Sequence, residues 1–278
     1  MTSRVLELRF RVPREQADAL SALLFDAGAG AVEERDVPDA ALLVVYCTGG
    51  EEVERMLGAA RSLPVEVGVE QHELDDTWKN EWTRWLGPEA VTERVVLVPV
   101  GTSAPTVGDA RILEFDPSLV FGVGSHPTTR LAAREVEELC LGRPGLRVLD
   151  VGTGTGVLAM VAAVSGAGSV LGIDVDAKAV RSARHNARLN DLGSLCRFSE
   201  RPLSAQRRRW DLVVANIEVW ILEELLSDLV RVIAPGGCLV VSGFLRERAA
   251  ALGTELERLG LRVTRERSEG DWSALVLS

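Results

Sequence analysis

Apolar and polar positions along the first 72 residues follow two rhythms. Leu6, Leu8, Phe10 and Val12 alternate with Glu7, Arg9 and Arg11, the period-two pattern of a strand with one buried face. Pro13 then opens a helix in which Ala17, Leu20, Leu24 and Ala27 share a face, and Gly28 ends it. A short strand around Ala31–Glu34, a stronger one at Ala41–Cys47, a helix from Glu51 to Arg61 and a strand at Val65–Val69 complete the series. The order β-α-β-β-α-β predicts a small ferredoxin-like α+β domain over residues 1–72, with a recognition or purely supporting role. Residues 73–92 read as a linker helix. Trp78, Trp82 and Trp85 fall at i, i+4 and i+7 there, a stripe that buries large area and sets how the helix packs.

From residue 93 to 278 strands and helices alternate. Arg94–Val100 reads as a strand and Gly101–Asp109 as a loop, and a helix starts at Pro127 with Leu131, Glu135 and Leu139 following. An apolar strand at Val148–Val151 and another at Ser169–Asp174 precede a helix over Ala177–Asn190. A buried strand ends at Asn216, a helix carries Leu222, Leu225, Leu226 and Leu229, and Pro235-Gly-Gly turns into the strand Cys238–Ser242. A helix near Arg246–Leu259 leads to the strands Leu261–Arg267 and Trp272–Leu277, which read as a hairpin. The fold class predicted is α/β, a doubly wound and mostly parallel sheet closed by an antiparallel C-terminal hairpin. Ligands in such sheets sit outside the carboxyl ends of the strands, and Gly152, Asp174 and Asn216 each fall at one of those ends.

Composition narrows the function classes. With 278 residues and 46% hydrophobic, the chain is long enough for one large domain and one small one. The formal net charge of −10 argues against a duplex nucleic-acid binder, and no sequence-specific nucleic-acid contact is expected. Acidity is concentrated in residues 1–80, where 16 Asp and Glu stand against 8 Lys and Arg. This marks a solvated surface or a docking face for a basic partner. Cys47, Cys140, Cys196 and Cys238 are far apart and form no C-x-x-C pair, so neither a metal site nor a disulfide framework is expected. The N-terminus has no apolar core of a signal peptide, and no apolar run approaches the roughly 20 residues of a membrane span. A soluble cytoplasmic protein is the expectation.

The candidate chemistry begins at Val148-Leu-Asp-Val-Gly-Thr-Gly-Thr-Gly156, a strand running into three glycines at every second position. Such a turn lets a ligand lie against backbone, and Asp174 about 20 residues on offers a carboxylate to ribose hydroxyls. A dinucleotide fingerprint needs glycine at the sixth position, which here is Val157. The spacing G-x-G-x-G therefore favours S-adenosyl-L-methionine over a nicotinamide dinucleotide, with Gly152, Gly154 and Asp174 as cofactor-binding candidates. Upstream, Phe115-Asp-Pro-Ser-Leu-Val-Phe-Gly-Val-Gly-Ser-His-Pro-Thr-Thr-Arg130 places two threonine hydroxyls where free helix N–H groups collect. Thr129 is the candidate there for a cofactor contact. His126 admits a general-base reading, but a lone His before Pro more often serves as a structural donor.

Taken together, Phe115–Thr129, Asp150–Gly156, Ile173-Asp174 and Ala215-Asn216-Ile217 resemble the bacterial ribosomal protein L11 methyltransferases, the PrmA family. The likeness spans nearly the whole chain. It implies a class I methyltransferase domain behind a small recognition domain and a tryptophan-bearing linker. It also implies S-adenosyl-L-methionine bound by Thr129, Gly152, Asp174 and Asn216, and methylation of lysine side-chain amines and the α-amine of a basic ribosomal protein. Asn216 is the catalytic candidate, contacting cofactor and placing the amine; Glu218 is a further acceptor or simply a helix-start carboxylate. Lysine methylation of another protein, such as an electron-transfer flavoprotein subunit, and methylation of a small molecule stay open as alternatives. A nucleic-acid or glutamine methyltransferase is disfavoured, because Asn216-Ile217-Glu218-Val219 stands where such enzymes typically carry Asn-Pro-Pro and an aromatic residue.

Overall fold

The structure, a computed structural model, describes residues 5–29, 32–37, 40–47, 49–65, 67–74, 87–106, 108–116 and 126–278. The chain divides into two compact units, Met1–Trp82 and Thr83–Ser278.

In the first unit β1 (Val5–Val12), α1 (Ala17–Asp26), β2 (Glu33–Val37), β3 (Ala40–Cys47), α2 (Gly50–Arg61) and β4 (Gly68–Leu74) follow the expected order. The sheet runs β2-β3-β1-β4 with every neighbouring pair antiparallel. The path β1–α1–β2 is thus a split βαβ unit with β3 between its strands. Alternation in β1 sends Leu8, Phe10 and Val12 into one core with Leu20 and Leu24 of α1 and Val53 and Met56 of α2. One strand differs from expectation. Val65 and Val67 are apolar because they pack against this core, but pairing with β1 begins only at Gly68 and continues to Leu74.

The second unit holds β5 (Glu89–Ala90), β6 (Val95–Pro99), β7 (Arg111–Phe115), α3 (Pro127–Gly142), β8 (Arg147–Val151), α4 (Val157–Val164), β9 (Ser169–Ile173) and α5 (Ala177–Leu189). It continues with β10 (Cys196–Ser199), β11 (Trp210–Asn216), α6 (Val219–Arg231), β12 (Ile233–Leu245), α7 (Arg246–Arg258), β13 (Val263–Glu269) and β14 (Trp272–Leu277). Strands β5, β7 and β10 were not expected. The first two join β6 in a small three-stranded sheet, β5-β6-β7. Of the linker helix expected over 73–92, residues 73–74 belong to β4 and Glu89–Ala90 to β5; Trp78, Trp82 and Trp85 lie outside the described residues.

The main sheet has the order β10-β9-β8-β11-β12-β14-β13, with β14 its one antiparallel strand. Successive residues of a strand face opposite sides, so Val148 enters the core under α3, α4 and α5, while Leu149 and Val151 enter the core under α6 and α7. Burying each such side chain stabilises the fold by roughly 1.5–3 kcal/mol before the entropy of ordering is counted. Strand order reverses at β8, whose neighbours β9 and β11 lead to helices on opposite faces. That reversal opens a crevice at the carboxyl ends of β8, β9 and β11.

Candidate functional site

At the end of β8 the chain turns through Gly152, Gly154 and Gly156, all with positive φ (70°, 52° and 85°). Gly152 is demanded twice over. Its backbone lies in the left-handed region, and a Cβ there would stand 2.3 Å from Cγ2 of Ile217. The amides of Gly152 and Thr153 donate to the Ile173 carbonyl at 2.9 and 3.0 Å, tying the turn to the end of β9. The next amide, Gly154, donates to Oδ2 of Asp174 at 3.0 Å, while Oδ1 accepts from the Asp176 amide at 3.0 Å. A carboxylate has about four acceptor sites, so after these two bonds Asp174 retains capacity for a pair of hydroxyls.

Below the turn, Asp150 is 1% exposed. Alternation along β8 puts it on the same side as Val148, among the apolar residues of α4. Thr153 donates its hydroxyl to Oδ2 at 2.6 Å, and Oδ1 has no hydrogen-bond partner. Burial pushes the Asp150 carboxyl up to about 7, and the negative charge of Asp174 adds to the rise; the Thr153 hydroxyl and the Ala159 amide oppose it.

Across the crevice, Asn216 ends β11 and donates Nδ2 to Oγ1 of Thr129 at 3.3 Å. Thr129 is buried in the first turn of α3, and its neighbour Thr128 offers its carbonyl to the Ser242 hydroxyl at 3.2 Å. In β12, Gly243 (φ 98°) lets the chain pass Ile217; a Cβ at Gly243 would lie 2.1 Å from the Ile217 carbonyl oxygen. His126 is the N-cap of α3. Its Nδ1 is 2.7 Å from the Thr128 hydroxyl and its ring meets Trp272 edge-on at 4.7 Å. Burial, then the charge of Arg130, lowers its pKa. These contacts make His126 a cap rather than a base. Beyond Asn216, Glu218 and Trp220 are exposed at the start of α6, and the indole N–H donates to Glu218 Oε2 at 2.5 Å.

One helix braces the glycine turn from outside. Asn186 of α5, fully buried, donates to the Thr155 carbonyl at 2.9 Å and accepts from the Asp116 amide at 2.9 Å. One turn on, Asn190 accepts from the Glu114 amide at 2.8 Å and donates to the Glu114 carbonyl at 2.7 Å. The pair holds the exit of β7 beside the turn.

The structure thus gathers every site residue singled out from sequence. Gly152, Gly154 and Asp174 form one hydrogen-bonded corner, and Thr129 and Asn216 form a second, reached from Gly152 through Ile217. Gly122 and Gly124 lie outside the described residues. Residue order does not single out Asn186 or Gly243, and Asp150 enters there only as part of the glycine motif; Gly243, a glycine interrupting an apolar strand, and Asp150, a carboxylate within one, carry a signal. Burial pushes the Cys140 and Cys196 thiols up to about 12, which leaves them unreactive. Among the described residues no cluster of His, Cys, Asp and Glu could hold a metal ion, and no helix is long and apolar enough to cross a membrane.

The chain resembles known proteins over nearly its whole length. A family model described as ribosomal protein L11 methyltransferase (PrmA) matches residues 4–278. The ribosomal protein L11 methyltransferase of Pelobacter propionicus is 32% identical over 305 residues, covering 99% of this chain and 98% of that protein. That of Sorangium cellulosum is 34% identical over 260 residues, covering 89% and 82%. Among solved structures, the ribosomal protein L11 methylase of Lactobacillus delbrueckii subsp. bulgaricus matches with a TM-score of 0.64 at 30% identity, over 69% of this chain and 98% of that one.

Proposed function

Since this chain belongs to the ribosomal protein L11 methyltransferase family, S-adenosylmethionine-dependent enzymes that methylate ribosomal protein L11, we propose that its acceptors are amines: lysine side chains and the α-amine of that protein. The alternatives of a flavoprotein or small-molecule acceptor have no support in these likenesses. When bound, S-adenosylmethionine supplies a methyl group on a sulfonium sulfur, which takes up the bonding electron pair as the amine displaces it. The remaining work falls to the protein's own residues.

The crevice fits that cofactor. Gly152 leaves bare backbone beside Ile217, and Asp174 keeps acceptor sites for ribose hydroxyls after binding Gly154 and Asp176. We assign the ribose to Asp174, the backbone cradle to Gly152 and Gly154, and a further cofactor contact to Thr129. Asn216 carries the reading of the chemistry. Its amide is steered by Thr129, so its carbonyl oxygen is available to accept a hydrogen from an incoming amine. The amine must be neutral to attack. A lysine with its ordinary pKa of about 10.4 lies some 3.4 pH units above neutrality, a cost near 4.6 kcal/mol if met by deprotonation alone. A partly dry crevice lowers that cost, and alignment by Asn216 supplies much of the rate. Glu218 and Trp220 offer a carboxylate and an aromatic face to a cationic side chain approaching the rim. The acidic N-terminal segment suits a basic substrate, and we place the reaction in the cytoplasm.

The test is methyl transfer from labelled S-adenosylmethionine to purified ribosomal protein L11, with mass spectrometry locating the modified amines. Label on lysine and α-amino nitrogens, strongly reduced by Asn216→Ala with cofactor affinity largely retained, is the expected result. Full turnover of Asn216→Ala with normal affinity removes its assigned role.

A further inference from the structure

Between Ala177 and Arg209 the chain carries nine basic residues and two acidic ones, in a protein of net charge −10. Lys178, Arg181, Arg184 and Arg188 follow one another on α5 at steps of three, three and four, so they share a helix face. Arg197 and Arg201 come from β10 and its exit, and β10 is an edge strand of the main sheet. All six side chains are exposed. Arg184 donates to the Phe198 carbonyl at 2.8 Å, which joins helix to strand. Beside that bond Arg184, Arg188 and Arg197 line a single open cleft of about 300 Å³.

Elsewhere on this unit arginines are neutralised in pairs, as Arg130 is by Glu89 and Glu269, and Arg265 and Arg267 by Glu135 and Glu138. Among the described residues none of the six on this face has a carboxylate partner. So dense an unpaired charge repels itself and concentrates anions. What kind of anion follows from what else is there. Of the large apolar side chains exposed among the described residues, none lies between Ala177 and Arg209. A protein interface needs an apolar or aromatic centre, which this face lacks. A phosphodiester backbone needs none, and arginine forks match its oxygens two at a time. With no exposed aromatic ring to stack a base, the face has no means of reading sequence.

We propose that this face of α5 and β10 binds the phosphodiester backbone of RNA without sequence preference. RNA rather than DNA is the choice because the substrate is a ribosomal protein, and in that one respect the inference rests on the function assigned above. The overall negative charge does not decide the matter, since at ordinary salt the field at this face is set by the charges within about 10 Å of it.

Fluorescence anisotropy with the full-length protein and a labelled 20-nucleotide RNA hairpin of arbitrary sequence tests this. The expected result is binding at 50 mM salt that weakens steeply as salt rises. A double-helical stem loses about 0.9 in logarithmic slope per neutralised phosphate, so Arg181→Gln/Arg188→Gln/Arg197→Gln reduces the slope by about 2.7. At 50 mM salt the same variant binds at least tenfold more weakly, while its thermal melt and calorimetric uptake of S-adenosylmethionine match the parent. Arg181→Glu alone, on an open helix face, weakens binding in the same direction if the triple variant folds poorly. No binding at 50 mM salt, or binding indifferent to both variants, overturns the proposal. So does displacement of the hairpin by polyglutamate as readily as by unlabelled RNA, which assigns the face to an acidic protein. Tighter binding of duplex DNA of the same length also overturns it. Methyl transfer to ribosomal protein L11 by the triple variant, measured alongside, separates failure of this inference from failure of the assigned activity.

Discussion

Asn216, the last residue of β11, donates its side-chain amide to the hydroxyl of Thr129 in the first turn of α3, 87 residues earlier in the chain. The bond spans the crevice and decides which end of the Asn216 amide faces Thr129. Thr129→Val keeps the volume but offers no acceptor, so the amide is free to rotate. Losing one such bond is worth about 1–1.5 kcal/mol, and kcat for methyl transfer is expected to fall roughly tenfold. Thr129→Ser retains an oxygen and most of the rate. Equal turnover of the Val and Ser variants in a label-transfer assay would show that the bond has no part in positioning.

Gly152 and Ile217 are packed so closely that they test each other. Gly152→Ala brings a left-handed backbone cost of roughly 1–2 kcal/mol and a collision with Cγ2 of Ile217 at 2.3 Å. Ile217→Ala removes that methyl group. In a double-mutant cycle read by urea unfolding, the pair is expected to cost less than the sum of the single changes, by an amount that reports the collision alone. Calorimetry is expected to find cofactor uptake severely weakened in Gly152→Ala and only partly recovered in the double variant, because the strained φ remains. Strict additivity would mean that the turn relaxes away from Ile217.

Much of this arrangement is legible in residue order because it is local. Alternation in β1, the glycine spacing after β8 and the carboxylate at Asp174 each depend on a few neighbouring positions, and their strand ends converge once the sheet is parallel. What is not legible depends on tertiary partners. Asn186 looks like any polar residue on a helix until α5 is laid against β7, which buries it. Gly243 matters only through the register that carries β12 past Ile217. Val65 and Val67 suggest a strand by composition, although they pack without pairing. The basic face of α5 and β10 is hidden within a chain whose total charge is negative.

Asp150 gives the fold a pH dependence whose sign is fixed by burial. Its carboxyl is pushed up to about 7 in the folded chain, against an ordinary value near 3.8. Between those values the folded state holds a proton that the unfolded state has lost, so stability falls as pH rises from about 4 to about 7. The full effect is on the order of 4 kcal/mol. Asp150→Asn keeps an acceptor for the Thr153 hydroxyl and never ionises. Urea melts across pH 5 to 8 are expected to show the variant losing this slope and exceeding the parent in stability at pH 8. A parent slope unchanged by the substitution would mean that Asp150 is already charged in the folded state at pH 5.

Asn186 of α5 and Asn190, the C-cap of that helix, sit one turn apart and both grip the end of β7, but only Asn186 also reaches the glycine turn, through the Thr155 carbonyl. The two therefore separate bracing of the cofactor turn from bracing of the small sheet. Asn186→Leu removes both of its bonds to Thr155 and Asp116, each worth about 1 kcal/mol. The turn then has one tie fewer, and S-adenosylmethionine is expected to bind roughly tenfold more weakly. Asn190→Leu frees Glu114 and also removes the amide's contacts with the Asn186 carbonyl and the Met160 sulfur, but it touches no atom of the glycine turn; it should lower the melting temperature by a few degrees while cofactor affinity stays within about twofold. Calorimetry and thermal melts of the two variants decide the matter. Equal losses of affinity would show that the cofactor turn depends on β7 as a whole, whereas a loss confined to Asn186→Leu assigns the bracing to the Thr155 carbonyl.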